Sequence, residues 1–277
     1  MGKNEVWLLA MIFSLGAAAP AMADDQRLGP ISSAITGDQD ETSSFWNDFD
    51  IELGAQLSYE PDYQGSDDYE LDILPVLQVT YKDWLYAEFL AAGAFWNLPH
   101  GFRMQTGIGF EPGRDSDDND DLDGLDDIDD TAVLDFGLFY GIGDLTLGFA
   151  LEQDLLGQGK GLVTFLGARY DFDFLDGRLE IAPQVDISFA TAKHLRTEFG
   201  ISQGESTDSG LDAYRPGAGL KSYGFGTNVD FRLAEHWALV GEAGIEFYGP
   251  EATDSPLLDD VGADYGAEVE VGLVYRF

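Results

Sequence analysis

The last thirteen residues alternate between apolar side chains and polar or small ones, and the alternation ends at a C-terminal phenylalanine. The intervening positions carry Glu268, Glu270 and Arg276. A helix would scatter these charges around its surface, whereas a strand places them on one side. A strand that crosses a membrane requires an apolar face with aromatic residues at both ends. That face consists of Tyr265, Ala267, Val269, Val271, Leu273, Tyr275 and Phe277.

The same period of two recurs along the chain from about residue 49. It is clean in three segments and less regular in seven others. The clean segments are 51–59, 145–151 and 179–189, and the others are 71–81, 84–96, 102–111, 131–140, 161–170, 217–231 and 236–248. With the last segment these make eleven strands, but a single-chain bacterial barrel needs an even number. Residues 195–203 supply a twelfth strand or extend the one that begins at 178. The pattern therefore predicts an all-β, antiparallel transmembrane β-barrel of twelve strands, with ten as the alternative.

Composition separates this barrel from two other classes of protein. The mean hydropathy is only -0.13, whereas a membrane protein built of helices needs about 20 apolar residues for each span. A soluble sandwich also alternates, but its second face is solvated and richer in Lys and Thr. Here the second face carries Gly, Ala, Ser and paired charges, and the chain contains 34 Gly. Such a face suits a narrow lumen.

The charge balance excludes one class of partner. The net charge is -38, from 52 acidic residues against 14 basic ones, so the chain lacks the cations that replace counterions on a phosphate backbone. We therefore expect no nucleic-acid partner. Anionic lipopolysaccharide is repelled unless divalent cations bridge the two surfaces. The alternative is a general adaptation of surface charge to salty water. Cysteine is absent, which excludes disulfides, thiolate zinc sites and a thiol nucleophile.

The N-terminus has the organisation of a secretory signal. Lys3 precedes the apolar run 6–15, and Ala21-Met22-Ala23 stands immediately before two aspartates. Pro20 makes the alternative, a membrane anchor, a poor spanning helix. The sequence therefore predicts a signal peptide at 1–23, a polar disordered leader at 24–48 and the barrel at 49–277.

Several segments resemble the MipA/OmpV family of outer-membrane proteins, and the likeness runs from about residue 50 to the C-terminus. The matching pieces occur in the family's order, and the loop at 115–123 departs from them by being more acidic. They are Pro61-Asp62-Tyr63-Gln64-Gly65-Ser66-Asp67-Asp68-Tyr69, Leu74-Pro75, Pro112-Gly113-Arg114, Gly124-Leu125-Asp126-Asp127-Ile128-Asp129, Ser209-Gly210-Leu211 with Tyr214, Asp254-Ser255-Pro256 and Tyr275-Arg276-Phe277.

The resemblance implies a location, partners and two groups of functional residues. It implies the outer membrane of a Gram-negative cell, and a scaffold that links a lytic transglycosylase to a murein synthase. The final Tyr275 and Phe277 resemble the signal read by the outer-membrane assembly machinery, so we expect that machinery and lipid as partners. The expected contact residues are those of the motif loops: Pro61, Asp62, Tyr63, Gly65, Ser66, Gly113, Arg114, Gly124, Leu125, Asp129, Ser209, Gly210, Leu211, Tyr214, Asp254, Ser255 and Pro256.

One segment has the spacing of a cation-binding loop. Residues 115–130 contain ten aspartates, and Asn119, Asp121, Asp123 and Gly124 fall at calcium-loop spacing with Asp130 in the closing position. Asn opens the series, however, Asp replaces the usual closing Glu, and strands flank the loop. The favoured interpretation is a solvated acidic loop, and a weak divalent-cation site is the alternative. We expect no other cofactor.

Catalytic motifs are missing from the sequence. The three histidines, His100, His194 and His236, lie in or near turns, and none belongs to a Ser- or Asp-bearing catalytic motif. We therefore expect a protein that is not an enzyme. Two functions remain: a scaffold for murein-processing enzymes, or a narrow cation-preferring pore or surface antigen or adhesin. An acidic lumen would favour cations if it is open.

Overall fold

The computed structural model describes residues 48–82 and 84–277. The predicted signal peptide and all of the leader except Asp48 lie outside the described residues. No helix in the described part of the chain is long and apolar enough to cross a membrane.

Thirteen strand segments follow one another in a single antiparallel sheet. They are β1 (Phe49–Pro61), β2 (Tyr69–Tyr81), β3 (Leu85–Glu88), β4 (Ala91–Leu98), β5 (Phe102–Glu111), β6 (Thr131–Ile142), β7 (Leu145–Asp154), β8 (Leu162–Tyr170), β9 (Phe172–Phe174), β10 (Leu179–Ala190), β11 (Gly219–Arg232), β12 (Trp237–Tyr248) and β13 (Tyr265–Arg276).

The sheet closes on itself with twelve strands around its circumference. The last strand pairs with the first, for example Leu53 with Tyr275. β8 and β9 are two segments of one strand, because both pair with β10 on either side of Pro183. Proline has no N–H to give to the ladder, so the pairing is interrupted opposite it. The prediction of twelve strands is confirmed, and the ten-strand alternative is excluded.

Two assignments made from the sequence are wrong. Segment 84–96 is not one strand but two, β3 and β4, joined by a tight turn at Phe89 and Leu90. Residues 195–203 form neither a twelfth strand nor an extension of β10, because they lie mostly in helix. The twelfth strand therefore comes from dividing 84–96.

Short helices occur only in the long connections of the described chain. They are α1 (Ala192–Phe199), α2 (Gln203–Ser209), α3 (Pro250–Thr253) and α4 (Pro256–Asp259), with 3-10 turns at Ser116–Asp118, Asp120–Leu122 and Pro99–Gly101, the last in a short connection. Both ends of the barrel-forming chain lie at the end with short turns. Outer-membrane barrels keep short turns in the periplasm and long loops outside. The long connections are therefore extracellular.

The strands present an apolar belt outward and a polar face inward. Val271 and Leu273 are about half exposed on the outer surface, whereas Glu270 points inward and accepts hydrogen bonds from Gln56 and Ser58. The register predicted for the last strand is therefore correct. Aromatic rings stack at the rims of the belt, as in the Tyr59–Tyr69 pair. A closed barrel with such a belt is an outer-membrane protein of a Gram-negative cell.

Candidate functional site

Four extracellular connections, 62–68, 112–130, 191–218 and 249–264, pack together into a folded lid that we call the loop cap. Its hydrophobic core draws on side chains far apart in the chain. The buried members from these connections are Tyr63, Leu122, Leu125, Leu195, Phe199, Ile201, Ala252, Leu257 and Leu258. Burial of this many large side chains makes the cap a fixed part of the fold.

The loop cap reaches into the mouth of the barrel. Its core includes Ala150, Val163, Phe165 and Ala190, which face inward from β7, β8 and β10. α1 follows β10 directly and contacts both β8 and β10. The cap thus fills the outer end of the lumen on this side of the barrel.

The first motif loop is held by a glycine in a left-handed conformation. Gly65 has φ 93°, and a Cβ at this position would overlap the side chain of Leu258. Its N–H donates to the Tyr248 hydroxyl at 3.1 Å. The Ser66 hydroxyl accepts from the N–H of Asp68 at 3.1 Å and closes the turn. Pro61 ends β1, and Asp62, which follows it, accepts from the Asn119 side-chain amide at 2.8 Å.

Gly113 and Arg114 connect the second motif loop to the rest of the cap. A Cβ at Gly113 would collide with the Ile128 carbonyl, so only glycine fits. The Arg114 guanidinium donates to the Glu198 carbonyl at 3.0 Å and lies over the Tyr63 ring, 6.0 Å from its centroid. Burial lowers the pKa of Arg114, and the charge of Glu198 opposes this shift.

The third motif loop packs on α2. Gly124, with φ 83°, lies against the backbone of Asp208 and Ser209. Leu125 is buried, and the next N–H donates to the Glu205 carboxylate at 3.1 Å. Asp129 is exposed.

The last two motif loops stabilise helix ends. Gly210 caps α2 with φ 84°, and the Ser209 hydroxyl accepts from the N–H of Leu211 at 3.2 Å. The Tyr214 hydroxyl donates to the Glu251 carbonyl at 3.1 Å. The Ser255 hydroxyl donates to the Phe199 carbonyl at 2.7 Å.

Asp254 caps the end of α3, and Pro256 begins α4. The structure therefore brings all the motif-loop residues together at the extracellular end of the barrel. Tyr275 and Phe277 lie at the other end, where their rings meet edge to face at 4.7 Å. The N–H of Phe277 donates to the Ile51 carbonyl at 3.0 Å.

A buried ion network missed by the sequence analysis fastens the loop cap to the barrel wall. Lys160 is 7% exposed and forms ion pairs with Glu111 at 3.1 Å and Glu198 at 3.6 Å. Its ammonium also donates to the Pro112 carbonyl at 2.9 Å. Burial lowers the pKa of Lys160, but Glu198 and then Glu111 outweigh it and raise the pKa overall. The sequence did contain a signal for this network, because Lys160 stands alone between glycines in a strongly acidic chain.

His194 and Glu198 lie one helical turn apart on α1 and face this network. The His194 Nδ1 is 2.8 Å from the Lys160 carbonyl oxygen. Complete burial lowers the pKa of His194 to about 4. Burial raises the pKa of Glu198, but the charges of Lys160, His194 and Arg114 lower it overall. His194 and Glu198 are four residues apart in the sequence, and this helical spacing was the signal that the two side chains lie on the same face of α1.

The predicted calcium-loop spacing does not form one coordination shell. The Asp130 carboxylate accepts from the N–H of Gly113 at 2.9 Å, and Asn119 caps its own turn by accepting from the N–H of Asp121. Asp121 instead meets Asp67 and Asp68 of the first motif loop, and their carboxylate oxygens lie within 4.8 Å of one another. All three lie at the surface of the cap.

Carboxylates line the lumen below the cap. Glu270 and Asp72 flank Ser58 on neighbouring strands, and Glu60 pairs with Glu70. The inward-facing acids include Glu52, Glu60, Glu70, Asp72, Glu88, Glu111, Asp135, Glu152, Glu180, Asp186, Asp230, Glu242, Glu246, Glu268 and Glu270. Among the described residues, the basic groups paired with lumen acids include Lys221 with Glu246 at 3.4 Å and Arg276 with Glu52 at 2.9 Å. The lumen therefore attracts cations.

The three histidines are separated in space. His194 is buried in the cap, His100 lies in an exposed periplasmic turn, and His236 stacks on Tyr275 at the periplasmic rim. The Nδ1 atom of His194 lies 2.8 Å from the Lys160 carbonyl oxygen, and that of His236 lies 2.9 Å from the Arg276 carbonyl oxygen.

This chain is similar in sequence to two curated proteins and in structure to several solved outer-membrane proteins. The MltA-interacting proteins of Escherichia coli (strain K12) and Shigella flexneri are each 25% identical to this chain over 216 residues, covering 76% of this chain and 84% of theirs. Among solved structures, the NanC porin has a TM-score of 0.40 at 8% identity, covering 83% of this chain and 100% of that one. A bacterial polysaccharide outer membrane secretin has a TM-score of 0.41 at 9% identity, covering 82% and 98%.

The family model described as MltA-interacting protein MipA matches residues 53–277, which comprise every strand except the first residues of β1. The match includes the capped mouth and the acid-lined wall described above. This chain therefore belongs to the MipA family.

Proposed function

We propose that this barrel is a membrane-embedded scaffold that binds a murein-processing enzyme of the lytic transglycosylase type, and through it a murein synthase. The observation that carries the proposal is the family match together with relatives whose name states an interaction with MltA. Murein lies in the periplasm, so such a partner meets the periplasmic rim of the barrel.

The chemistry of the rim fits a basic partner. Exposed acids occupy its turns, among them Asp144, Asp176 and Glu235, beside the exposed bases Lys82 and Arg178. An excess of acidic side chains raises the rate at which a basic partner docks, and salt screens the effect. We therefore expect binding that weakens as ionic strength rises.

The motif loops have a different role in this proposal. They were expected to contact partners, but they lie at the extracellular end, where a periplasmic enzyme does not reach. Their side chains close turns, cap helices and fill the core of the loop cap. We assign them to building the cap, which leaves the rim as the contact surface.

A binding assay with charge-reversed variants tests the proposal. The full barrel in detergent is mixed with a purified lytic transglycosylase over a salt series. Asp144→Lys, Asp176→Lys and Glu235→Lys together should abolish retention of the enzyme. The matched control reverses three exposed acids of the cap, Asp67, Asp68 and Asp129, and should retain it. Equal binding by both triple variants, or no binding by the unmodified barrel, would contradict the scaffold proposal.

The acid-lined lumen favours a second candidate, a narrow cation-preferring pore. The loop cap argues against it, because cap side chains fill part of the outer mouth. Single-channel recording on the same preparation separates the two. A steady cation current together with no enzyme binding would replace the scaffold with the pore. A surface antigen or adhesin remains the alternative for the exposed face of the cap.

A further inference from the structure

The wall of the barrel has a gap on its extracellular half. β2 runs through Tyr69–Tyr81, but its neighbour β3 has only four residues and pairs with it only from Gln78 to Tyr81. Among the described residues, no strand pairs with 69–77 on that side, although β1 pairs with them throughout on the other. At about 3.3 Å per residue, the unpaired edge is roughly 30 Å long.

The gap is bounded by β2, the tip of the β3–β4 hairpin and the outer end of β5. β4 pairs with β5 up to Gly109, and the N–H of Phe110 donates to the Leu90 carbonyl at 2.8 Å. The backbone groups on this edge of β5 therefore have hydrogen-bond partners almost to the end of the strand. The missing wall is the space that taller β3 and β4 strands would fill.

The outward side chains beside the gap are still apolar, so it opens toward lipid. Ile73 is 75% exposed and Leu71 is 67% exposed, compared with 41% for Leu53 and 45% for Leu273 on fully paired strands. Pro75 lies in the same edge and removes one N–H that would otherwise lack a partner. Unpaired backbone groups are costly in hydrocarbon, so a stable gap needs polar content behind it.

Two rows of carboxylates lie behind the gap. In one, Glu242 pairs with Glu270 across β12 and β13, and Ser58 connects Glu270 to Asp72 at the edge. In the other, Glu60 of β1 pairs with Glu70 of β2. Side-chain oxygens of both edge residues, Glu70 Oε1 and Asp72 Oδ2, are buried and have no hydrogen-bond partner.

A third unpartnered oxygen extends the second row. Glu268 of β13 is 7% exposed, and its Oε1 makes no hydrogen bond. Tyr59 of β1 is paired with Val269 of β13, and the next residues along these two strands are Glu60 and Glu268. Glu268 therefore lies beside Glu60. A side chain this deeply buried with an unmet acceptor indicates a site for a donor or a cation.

A small cavity opens on the lumen side of the β3–β4 hairpin. Its lining includes Tyr86, Gln105 and the acids Glu88, Asp135 and Glu152. The apolar rim of the gap thus borders a lumen whose wall carries carboxylates on both sides of the β3–β4 hairpin. The loop cap covers the end of the barrel above it.

We infer that the gap between β2 and β5 is a lateral binding site for a single-chain cationic amphiphile from the outer leaflet. The ammonium head lies among the lumen carboxylates near Asp72 and Glu70, and the alkyl chain lies in the gap beside Leu71 and Ile73. The acidic lumen wall selects for positive charge, and the apolar rim selects for an alkyl chain. Neither an anionic lipid nor a small hydrophilic cation satisfies both.

Binding is measured with dodecyltrimethylammonium as the probe and the full barrel in nanodiscs, and empty nanodiscs measure its partitioning into lipid alone. We expect saturable binding that exceeds the uptake by empty nanodiscs. Tetramethylammonium, which lacks the chain, and dodecylphosphocholine, which has no net charge, should each bind at least about tenfold more weakly, the loss expected for one charged contact. Equal binding of either compound overturns the proposal.

Paired variants locate the site. Glu70→Gln with Asp72→Asn should weaken probe binding by about tenfold, whereas Asp186→Asn on the opposite wall should not. Heat-modifiable migration on gels confirms that each variant is folded. Equal affinities for the two variants overturn the proposed location.

A second measurement uses cysteine labelling, since the chain has no other cysteine. The probe should slow labelling of Ile73→Cys and leave labelling of Leu239→Cys, on a fully paired strand, unchanged. If Ile73→Cys is unreactive without the probe because a second copy or a partner strand covers the edge, the edge is an interface and the amphiphile proposal is wrong.

Discussion

The two ends of this barrel are built in different ways. At the extracellular end, connections from four parts of the chain share a buried core around Phe199 and Leu257, and ions such as Lys160 are buried among them. At the periplasmic end, turns are short and their side chains are exposed, as at Leu175 and Asp176. One end is thus a small folded domain and the other is a rim of independent turns. Long-range packing determines the first, and local turn geometry determines the second.

Shortening one side chain at each end should have the largest effect and test this comparison directly. Phe199→Ala should destabilise the loop cap by about 3–5 kcal/mol, because it leaves a cavity in a core. The matched change Leu175→Ala at the rim should alter stability by about 0.5 kcal/mol or less. Urea titrations of the folded barrel, with proteolysis at residues 191–218 as the readout, measure both. Similar losses at the two ends would show that the cap is not a cooperative unit.

Arginine substitutions in the wall between the two ends should have the next largest effect. Val271→Arg places a charge toward lipid and should cost about 2–4 kcal/mol near the midplane, whereas Glu270→Arg faces the acidic lumen and is accommodated. Refolding titrations in lipid vesicles measure both variants. A larger loss for Glu270→Arg would mean that the register of β13 is displaced by one residue.

Lowering the pH should loosen the cap and leave the rim unchanged. The pKa of His194 falls from 6.5 to about 4 in the folded cap, so the opened cap binds a proton more readily. Cap stability should be constant above pH 6.5 and decrease as the pH falls from 6.5 to 4. Loss of the Glu198 charge acts in the same direction at the acidic end, because its pKa is also lowered.

Hydrogen exchange at Leu195 and Phe199, corrected for intrinsic rates, measures this opening. His194→Gln should flatten the profile between pH 6.5 and 4, whereas His236→Gln at the exposed rim should not. An unchanged profile for His194→Gln would assign the acid sensitivity to another group.

The smallest effect on the stability of the finished barrel is expected at the C-terminus. Phe277→Ala removes an exposed ring, so stability should change by about 0.5 kcal/mol or less. The yield of assembled barrel in the outer membrane should nevertheless fall, because we expect the assembly machinery to read this residue. Quantitative blotting of membrane fractions tests this, with Leu239→Ala as the exposed control. Equal yields of the Phe277→Ala variant and the unmodified barrel would show that Phe277 is not part of the assembly signal.

The sequence predicted the wall better than the cap because alternation is a local property. The registers of β1, β7, β10 and β13 follow from counting every second residue. The turn at Phe89 and Leu90 was missed because apolar residues continue through it. Its signal is a change of phase, since Leu85 and Ala87 face outward in β3 but the even-numbered Ala92 and Ala94 do so in β4.

The cap depends on contacts that alternation does not encode. Leu195 and Phe199 are four residues apart, which is helical spacing. This signal was missed because residues 195–203 were assigned to a strand. The partners of Phe199, including Tyr248 and Ser255, are about fifty residues away in sequence, and no local pattern links them. The motif residues were found by resemblance, but their shared location at the extracellular end required the folded structure.

Two hydrogen bonds span the junction between the early and the late strands at the extracellular end of the barrel. The Tyr248 hydroxyl accepts from Gly65, and the Tyr69 hydroxyl accepts from Ala267, so each bond joins an early part of the chain to a late one. Neither contact exists until β13 has closed against β1. The cap therefore completes its contacts only in a closed barrel, and we expect an antibody against the ordered cap to recognise only cells whose barrel has closed.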